Sequence, residues 1–242
     1  MKRLLCVFAH PDDESYGPGG TIARCALAGA DVFITMFTAG EAGTIGVSKA
    51  LARDELARLR RAELAAACEA LGVREHRVLG APDGGVASLD PAWAIAEILA
   101  DIRRFRPQVA ITFHRGGVSG HRDHIAVAGF LDRAIAQAGA DGPQASYEWG
   151  IPHRRSQLYQ RPSLVPLEDH EIAAVVDIDD EAMERKLDAI RRHQTQIEFF
   201  VSLEQKFDYR AVSRPEHFAR GRSRIAPAPS PVGDLFDGIE VD

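Results

Sequence analysis

The sequence predicts an α/β fold with a Rossmann-like, mostly parallel sheet and helices on both faces, in three layers α/β/α. Two observations support this prediction. Strand and helix patterns alternate through the first half of the chain, and the strand segments are short apolar runs of the kind found in strands covered on both faces. This order implies right-handed crossovers, and ligands in such sheets bind at the carboxyl ends of the strands.

The elements follow one another along the chain. The apolar run at 4–9 predicts the first strand, and 19–29 predicts a helix that ends at a glycine. The segment 49–71 has apolar residues at helical spacing and stops before Gly72, so it predicts a long amphipathic helix. Further strands are predicted at 31–38, 76–79, 109–113 and 172–176, and further helices at 91–105, 122–137 and 180–196. Residues 139–163 are rich in Gly, Pro and polar side chains and predict irregular structure.

Length and composition predict a single domain over residues 1–220 and a flexible C-terminal tail over 221–242, which contains a Pro-Ala-Pro-Ser-Pro run. The net charge of −6 argues against a nucleic-acid partner. No apolar stretch reaches the roughly 20 residues that cross a membrane. The three cysteines have apolar neighbours, which fits reduced thiols in the cytoplasm. The oligomeric state stays open, and a homo-oligomer is compatible with the sequence.

Two clusters of polar residues follow strands of the predicted sheet. His10, Asp12, Asp13 and Glu14 follow the first strand, and residues 120–124 (GHRDH) follow the strand that ends at Phe113. Imidazole and carboxylate groups together suit zinc, and a catalytic zinc has three protein ligands and a place for water. The alternative for each cluster alone is an acidic turn or a helix-start carboxylate. Because both clusters lie at carboxyl ends of strands, we favour a metal site.

The same residues resemble a known family. Ala9-His10-Pro11-Asp12-Asp13-Glu14, the GGTIA segment at 19–23 and the GHRDH segment at 120–124 are similar to motifs of the PIG-L, or LmbE-like, family of zinc-dependent N-acetylglucosaminyl deacetylases. The resemblance covers most of residues 3–200. It implies His10, Asp13 and His124 as zinc ligands, with Fe²⁺ as an alternative ion, and Asp12 as the general base.

The resemblance also implies roles for the surrounding residues. His121 would stabilise the oxyanion. From its position, Asp123 is either a group that orients His121 or another residue of the site, or a carboxylate near a helix start, and the same two interpretations are open for Glu14. Arg60, Asp83 and Glu41 would contact the sugar or its aglycone. Each of these three has an ordinary alternative, as a helix surface charge, a turn residue and a loop acid respectively.

The expected function is removal of an acetyl group from an N-acetylglucosamine-type sugar by activated water. Three alternatives stay open: hydrolysis of another amide or ester, as in a mycothiol-conjugate amidase; a metal-dependent phosphoesterase; and a noncatalytic sugar-binding relative. A phosphoesterase would want two metals or several phosphate-binding cations, and the sequence offers one clear set of ligands. The presence of Asp12 and His121 beside the ligands argues against a noncatalytic protein.

Overall fold

The predicted apolar strands come together in one sheet. The computed structural model describes residues 1–44 and 50–241, and these residues form a seven-stranded sheet with the order β3-β2-β1-β4-β5-β7-β6. The strands are β1 (Arg3–Phe8), β2 (Asp31–Thr38), β3 (Glu75–Ala81), β4 (Val109–Phe113), β5 (Ala145–Gly150), β6 (Ile172–Val176) and β7 (Glu216–Ser223). Strands β1 to β5 pair in parallel, and β7 is antiparallel to both of its neighbours. The predicted fold class is confirmed.

Helices cover the sheet in two groups. The helices within the described residues are α1 (Asp13–Tyr16), α2 (Gly19–Leu27), α3 (Arg53–Leu71), α4 (Pro91–Phe105), α5 (Gly117–Gly120), α6 (Arg122–Ala138), α7 (His153–Tyr159), α8 (Asp180–Arg192), α9 (Ile197–Glu204) and α10 (Tyr209–Val212). Helices α2, α3 and α8 pack against one another, and α4 packs against α6. Local signals explain several ends: Asp90 caps α4 through the Ala92 N–H, and α3 stops at Gly72 in the left-handed region.

The centre of the sheet determines where a site can form. All side chains of β1 from Leu4 to Phe8 are fully buried, as expected for a strand with helices on both faces. Strand β1 lies between β2 and β4, where the direction of strand order reverses. The loops that leave the carboxyl ends of β1 and β4 therefore diverge to opposite sides and leave a crevice between them.

The second half of the chain differs from the prediction. Strands β5 and β7 were not predicted, because β5 lies in a segment rich in Gly, Pro and polar residues, and because β7 (EHFARGRS) is largely polar. The pattern in β7 becomes clear only when its partners are known: Phe218 packs in the core, and buried Glu216 forms an ion pair with Lys186. Helix α8 ends at Arg192, and residues 194–196 form a separate 3₁₀ turn.

The segment predicted as a flexible tail also differs from the prediction in its described part, up to residue 241. Strand β7 continues to Ser223, and the Val232 carbonyl accepts a hydrogen bond from the Val175 N–H at 2.9 Å. Leu235 and Phe236 are buried against the core. Isolated apolar residues among Pro, Gly and Asp gave no periodic signal, although two of them fill the space beside α2 and β6.

Candidate active site

Two histidines from neighbouring strand ends face each other. His10 follows β1, and His124 lies in the first turn of α6, after β4. The ring of Phe113, the last residue of β4, stacks on the His124 ring with centroids 3.9 Å apart and planes within 4°. His10 Nδ1 and His124 Nε2 lie 3.3 Å apart. The sheet thus brings together two ring nitrogens that are 114 residues apart in the chain.

The other nitrogen of each ring has a partner that sets the direction of the lone pair. His10 Nε2 lies 3.1 Å from Asp83 Oδ1 and 3.3 Å from Asp123 Oδ2, and His124 Nδ1 lies 3.2 Å from the Gly117 carbonyl oxygen. Since carboxylates and carbonyls only accept, these nitrogens carry the protons. The lone pairs of His10 Nδ1 and His124 Nε2 therefore point toward the same space. Metal-binding histidines are typically oriented by this kind of contact.

Asp13 completes the set. Its Oδ2 accepts a hydrogen bond from the His10 backbone N–H at 2.8 Å, and its Oδ1 lies 3.4 Å from His124 Nε2. Tetrahedral ligands at zinc distances lie about 3.4 Å from one another. The separations of 3.3 and 3.4 Å in this cluster fit that arrangement, so His10, Asp13 and His124 have the chemistry and spacing to hold a divalent ion.

His10 Nδ1 lies 3.6 Å from Asp13 Oδ2. Among the described residues, two sets of three ligand atoms lie within 4.8 Å of one another, and both include His10: one with His121 and His124, the other with Asp83 and Asp123. The second set lies on the far side of the His10 ring. There, Asp123 also accepts the backbone N–H groups of Gly84 and Val86, which explains how a fully buried carboxylate is stabilised.

Burial and hydrogen bonding act differently on the two rings. Burial lowers the pKa of His124 to about 4, which keeps its ring neutral and available as a ligand. Burial also opposes the charged form of His10, but hydrogen bonds to carboxylates, that of Asp123 foremost, outweigh it and raise the pKa of His10. An ion that binds at His10 Nδ1 would therefore displace a proton from this ring.

Asp12 occupies a strained backbone position beside this cluster. Its φ of 107° lies in the left-handed region that non-glycine residues rarely adopt. The Asp12 N–H donates to Glu14 Oε2 at 3.0 Å, and Arg60 Nη2 donates to Asp12 Oδ2 at 2.9 Å. Burial is the largest influence on the Asp12 carboxyl and raises its pKa to about 7, although the Arg60 guanidinium opposes the shift. A carboxyl with such a pKa can accept and return a proton near neutral pH.

Arg60 is buried, in contrast to a surface charge. Besides Asp12, its guanidinium donates to the carbonyl oxygens of Pro11 and Gly40. Gly40 has a φ of 70°, and a Cβ there would lie 2.2 Å from Arg60 Nη1. Only glycine therefore allows both this turn and this approach of the guanidinium. Arg60, predicted to contact substrate, borders the cavity while its guanidinium holds the Asp12 loop.

Glu14 links Asp12 to a distant histidine. Glu14 Oε1 lies 2.6 Å from His193 Nε2, and both side chains are fully buried. Glu14 Oε2 accepts the Asp12 N–H, so His193 is connected to the strained Asp12 backbone through one carboxylate. Glu14 therefore contacts the backbone of Asp12 and lies between Asp12 and His193, for which the sequence alone gave no role.

His121 lies at the start of α6, and one of its ring nitrogens accepts a backbone hydrogen bond. Its Nδ1 accepts the Asp123 backbone N–H at 3.2 Å and so caps the helix. The proton of the neutral ring is then on Nε2. Its ring centroid is 4.8 Å from that of His10 and 4.6 Å from that of His124. His121 therefore offers a donor beside the candidate ligands.

The remaining predicted residues form one loop contact. The Asp83 N–H donates to Glu41 Oε1 at 2.8 Å, and the Ala42 N–H donates to Asp83 Oδ2 at 2.8 Å. Asp83 also borders the cavity and contacts His10, whereas Glu41 is not among the lining residues that the structure describes. In this geometry Asp83 orients a candidate ligand, and Glu41 holds the Asp83 loop.

A cavity of about 460 Å³ opens at these residues. Its polar side contains His10, Asp12, Asp13, Arg60, Asp83, His121 and His124. The lining also contains aromatic and aliphatic residues that the sequence did not single out, which we call the apolar wall: Tyr16, Trp149, Ile151, Tyr159, Leu164, Phe199, Leu203 and Tyr209. Asp123 and Glu14 lie behind the cavity wall as supporting groups.

Comparison with known proteins identifies the family of the chain. Residues 5–135 match the family model of GlcNAc-PI de-N-acetylase, PIG-L, which covers more than half of the chain. The chain belongs to the PIG-L family. A deacetylase of 1D-myo-inositol 2-acetamido-2-deoxy-α-D-glucopyranoside from Acidothermus cellulolyticus is 34% identical, with 100% of this chain and 96% of that protein covered. A protein of the same name from Kineococcus radiotolerans is 37% identical, with 66% of this chain but only 51% of that protein covered.

Several proteins with solved structures share the fold of this PIG-L protein. N,N′-diacetylchitobiose deacetylase from Pyrococcus horikoshii superimposes with a TM-score of 0.66 at 22% identity, covering 95% of this chain and 87% of that chain. The 4-carboxy-2-hydroxymuconate hydratase from Pseudomonas putida KT2440 gives 0.70 at 21% identity, covering 95% and 100%. One fold thus carries two reactions, so the reaction must be argued from the site. Over residues 1–44 and 50–241, no helix is both long and apolar enough to span a membrane.

Proposed function

We propose that this PIG-L protein is a zinc-dependent deacetylase that removes the acetyl group from an N-acetylglucosamine-type sugar or its conjugate. The observation that carries the proposal is the convergence of His10, Asp13 and His124 next to the half-buried carboxyl of Asp12. The curated relatives, named as deacetylases of an acetamido-glucopyranoside, support the substrate class. His10, Asp13 and His124 would hold the ion.

Zinc, when bound, polarises the amide carbonyl and makes water more acidic. Asp12 takes a proton from the attacking water and passes it to the amine nitrogen as the C–N bond breaks, which releases acetate and the free amine. His121 donates from Nε2 to the carbonyl oxygen as negative charge develops there, because its Nδ1 is occupied by the Asp123 N–H. Arg60 and Glu14 keep the Asp12 carboxyl and backbone in place during both proton transfers.

The test is primary-amine release from N-acetylglucosaminyl-inositol and simple N-acetylglucosaminides by the zinc-loaded protein, together with its zinc content. We expect Asp12→Asn to retain zinc and to lose about 10³-fold in kcat, since a positioned acid–base group contributes about 10²–10⁴-fold. Asp188→Asn, which removes an exposed partner of Arg192 on α8, is the matched control and should behave as wild type. If Asp12→Asn released amine at the wild-type rate, the assigned role of Asp12 would be wrong.

The cellular setting is part of the same proposal. Cys6, Cys25 and Cys68 are free and buried, and burial raises the pKa of each thiol. Unpaired core thiols are typical of proteins from a reducing compartment, which supports a cytoplasmic enzyme acting on a small-molecule substrate.

A further inference from the structure

Part of the cavity lining is chemically unlike a site for a polyhydroxylated group. This part consists of Trp149, Tyr159, Leu164, Phe199 and Leu203. A group with many hydroxyls, such as inositol, needs hydrogen-bond partners when it is taken out of water. Large aromatic and aliphatic surfaces instead favour burial of apolar area.

The polar groups on this side are few among the described residues, and several are already engaged. The Gln196 side-chain amide donates to the Thr195 carbonyl, and the Arg161 guanidinium lies over the Phe199 ring at 5.5 Å. The Tyr209 hydroxyl donates to the Tyr16 carbonyl at 3.4 Å. The hydrogen bonds of Gln196 and Tyr209 reduce the number of partners that remain for the hydroxyls of a second polar ring, while the N–H groups of Arg161 remain as donors.

The rings on this side are held in place by their neighbours. Phe199 packs edge-to-face on Tyr16 with centroids 5.1 Å apart, and Tyr159 packs in the same way on Phe207. A Cβ on Gly17 would lie 3.4 Å from Trp149 Cε3, so the loop after α1 runs directly along the indole. An apolar surface that is already formed does not have to be ordered when a ligand binds.

Four of the eight large hydrophobic residues that are exposed in the described part of the chain are close in sequence to lining residues: Ile125, Leu158, Val165 and Val201. Ile125 follows His124, and Leu158 precedes Tyr159. The Val165 N–H donates to the carbonyl oxygen of Val118, a lining residue, at 2.8 Å.

From these observations we propose that the substrate is an amino-sugar conjugate that carries an apolar group, aryl or alkyl, and that this group binds against Trp149, Tyr159 and Phe199. The inference rests on the proposed deacetylase function and names its substrate class. Two sources offer the same chemistry: an apolar aglycone on the sugar, or an N-acyl group longer than acetyl.

The first experiment compares kcat/KM for amine release over two matched series. One series keeps the N-acetyl group and varies the aglycone among methyl, inositol, phenyl and octyl. The other keeps the methyl aglycone and varies the N-acyl group among acetyl, butyryl and octanoyl. We expect an apolar member of one series to exceed the methyl N-acetylglucosaminide by about tenfold or more through a lower KM, because each buried methylene favours binding. The series that shows the gain identifies the source.

Variants connect the gain to the named rings. Tyr159→Ser and Phe199→Ala should reduce the ratio of kcat/KM for the preferred apolar substrate to that for the methyl N-acetylglucosaminide, to near 1. Tyr159→Phe, which keeps the ring, should retain the ratio. Since the ratio is measured within one protein preparation, a loss of folded protein does not change it. An unchanged ratio in Tyr159→Ser and Phe199→Ala would overturn the assignment of the apolar group to this wall.

A second measurement does not depend on catalysis. The chain has two tryptophans, and Trp93 lies on α4, away from the cavity residues. In a Trp93→Phe background, Trp149 is the sole indole reporter. Octyl glucoside below its micellar concentration should change the Trp149 emission with saturation, whereas methyl glucoside at equal concentration should not. Equal responses to both would overturn the inference.

The two proposals fail in different ways. If the inositol and methyl N-acetylglucosaminides are hydrolysed at least as efficiently as every apolar member, the apolar substrate class is wrong and the deacetylase function stands. If the zinc-loaded protein releases amine from no member of either series, the proposed function is wrong, and the substrate class falls with it.

Discussion

The two sides of the cavity come from different parts of the chain and are built differently. The polar side comes from residues 10–124, within the segment 5–135 that matches the family model. Apart from Tyr16, the aromatic side chains of the apolar wall come from residues 149–209, outside that segment. The polar groups are oriented by hydrogen bonds to one another and to backbone, whereas the wall is formed by packed rings. From this comparison we expect the first region to determine the reaction and the second to determine the choice of substrate.

The largest expected effect separates the two sides by metal content. His124→Ala removes one of three candidate ligands and should abolish stoichiometric zinc binding and reduce kcat by about 10³-fold or more. Trp149→Phe, on the opposite side, should keep the wild-type zinc content. Zinc per chain after dialysis, read with amine release, checks both. Full zinc content in His124→Ala would show that the ion binds elsewhere, for example with His121 as ligand.

The next largest effect concerns the buried pair of Glu14 and His193. His193→Ala leaves the Glu14 carboxylate buried without its imidazole partner, and breaking such a pair costs about 3–5 kcal/mol. We expect the free energy of unfolding in urea to fall by about 3 kcal/mol, and kcat to fall more than KM rises, because Glu14 also holds the Asp12 N–H.

A matched control separates position from general damage. His170 is exposed, and His170→Ala should leave both quantities unchanged. The conservative variant His193→Gln, which can still donate to Glu14, should recover part of kcat. If His193→Ala lost stability while kcat stayed at the wild-type value, the pair would support the fold without positioning Asp12.

The third effect concerns the buried ion pair between Lys186 and Glu216, next to the loop at Gly17. Lys186 on α8 donates to the Gly17 carbonyl at 2.8 Å and to Glu216 Oε1 at 2.6 Å, and both charged side chains are buried. Lys186→Met should lower the free energy of unfolding by about 3 kcal/mol, because it leaves the Glu216 carboxylate without its counter-charge. The double variant Lys186→Met/Glu216→Gln should recover part of this loss. Equal unfolding midpoints for the single variant and wild type in urea would contradict this account.

The polar lining residues could be predicted from the sequence better than the apolar wall residues, for physical reasons. Most of the polar residues lie in two short segments that follow apolar strands, so the strand pattern alone predicts them at the carboxyl ends of the sheet; Arg60 and Asp83 lie outside these segments. Apart from Tyr16, the wall residues come from β5, from α7, α9 and α10, and from loops in the irregular second half. An aromatic side chain in a cavity has the same local sequence pattern as one in the core. Trp149 is an example, because β5 itself was not predicted.

Side-chain contacts between residues that are far apart in the sequence also could not be predicted. Glu14 and His193 are 179 residues apart, and nothing near His193 indicates a buried carboxylate. The role of Arg60 depends in the same way on its position: its helical spacing predicts a surface charge as readily as a buried one, and only the approach of the Gly40 turn places the guanidinium on Asp12.

The smallest expected effect tests how far the apolar side extends. Leu158 is 47% exposed and precedes Tyr159 on α7, so Leu158→Ser should change the free energy of unfolding by no more than about 0.5 kcal/mol. If an apolar substrate group extends past Tyr159 to this residue, KM for the longest alkyl substrate should rise about two- to threefold, while KM for the methyl N-acetylglucosaminide stays constant. Leu27→Ser, an exposed leucine on α2 outside the cavity lining, is the matched control and should change neither KM. A rise in KM of the same size for both substrates would mean that Leu158 affects the site as a whole, and the apolar surface would then end at Tyr159.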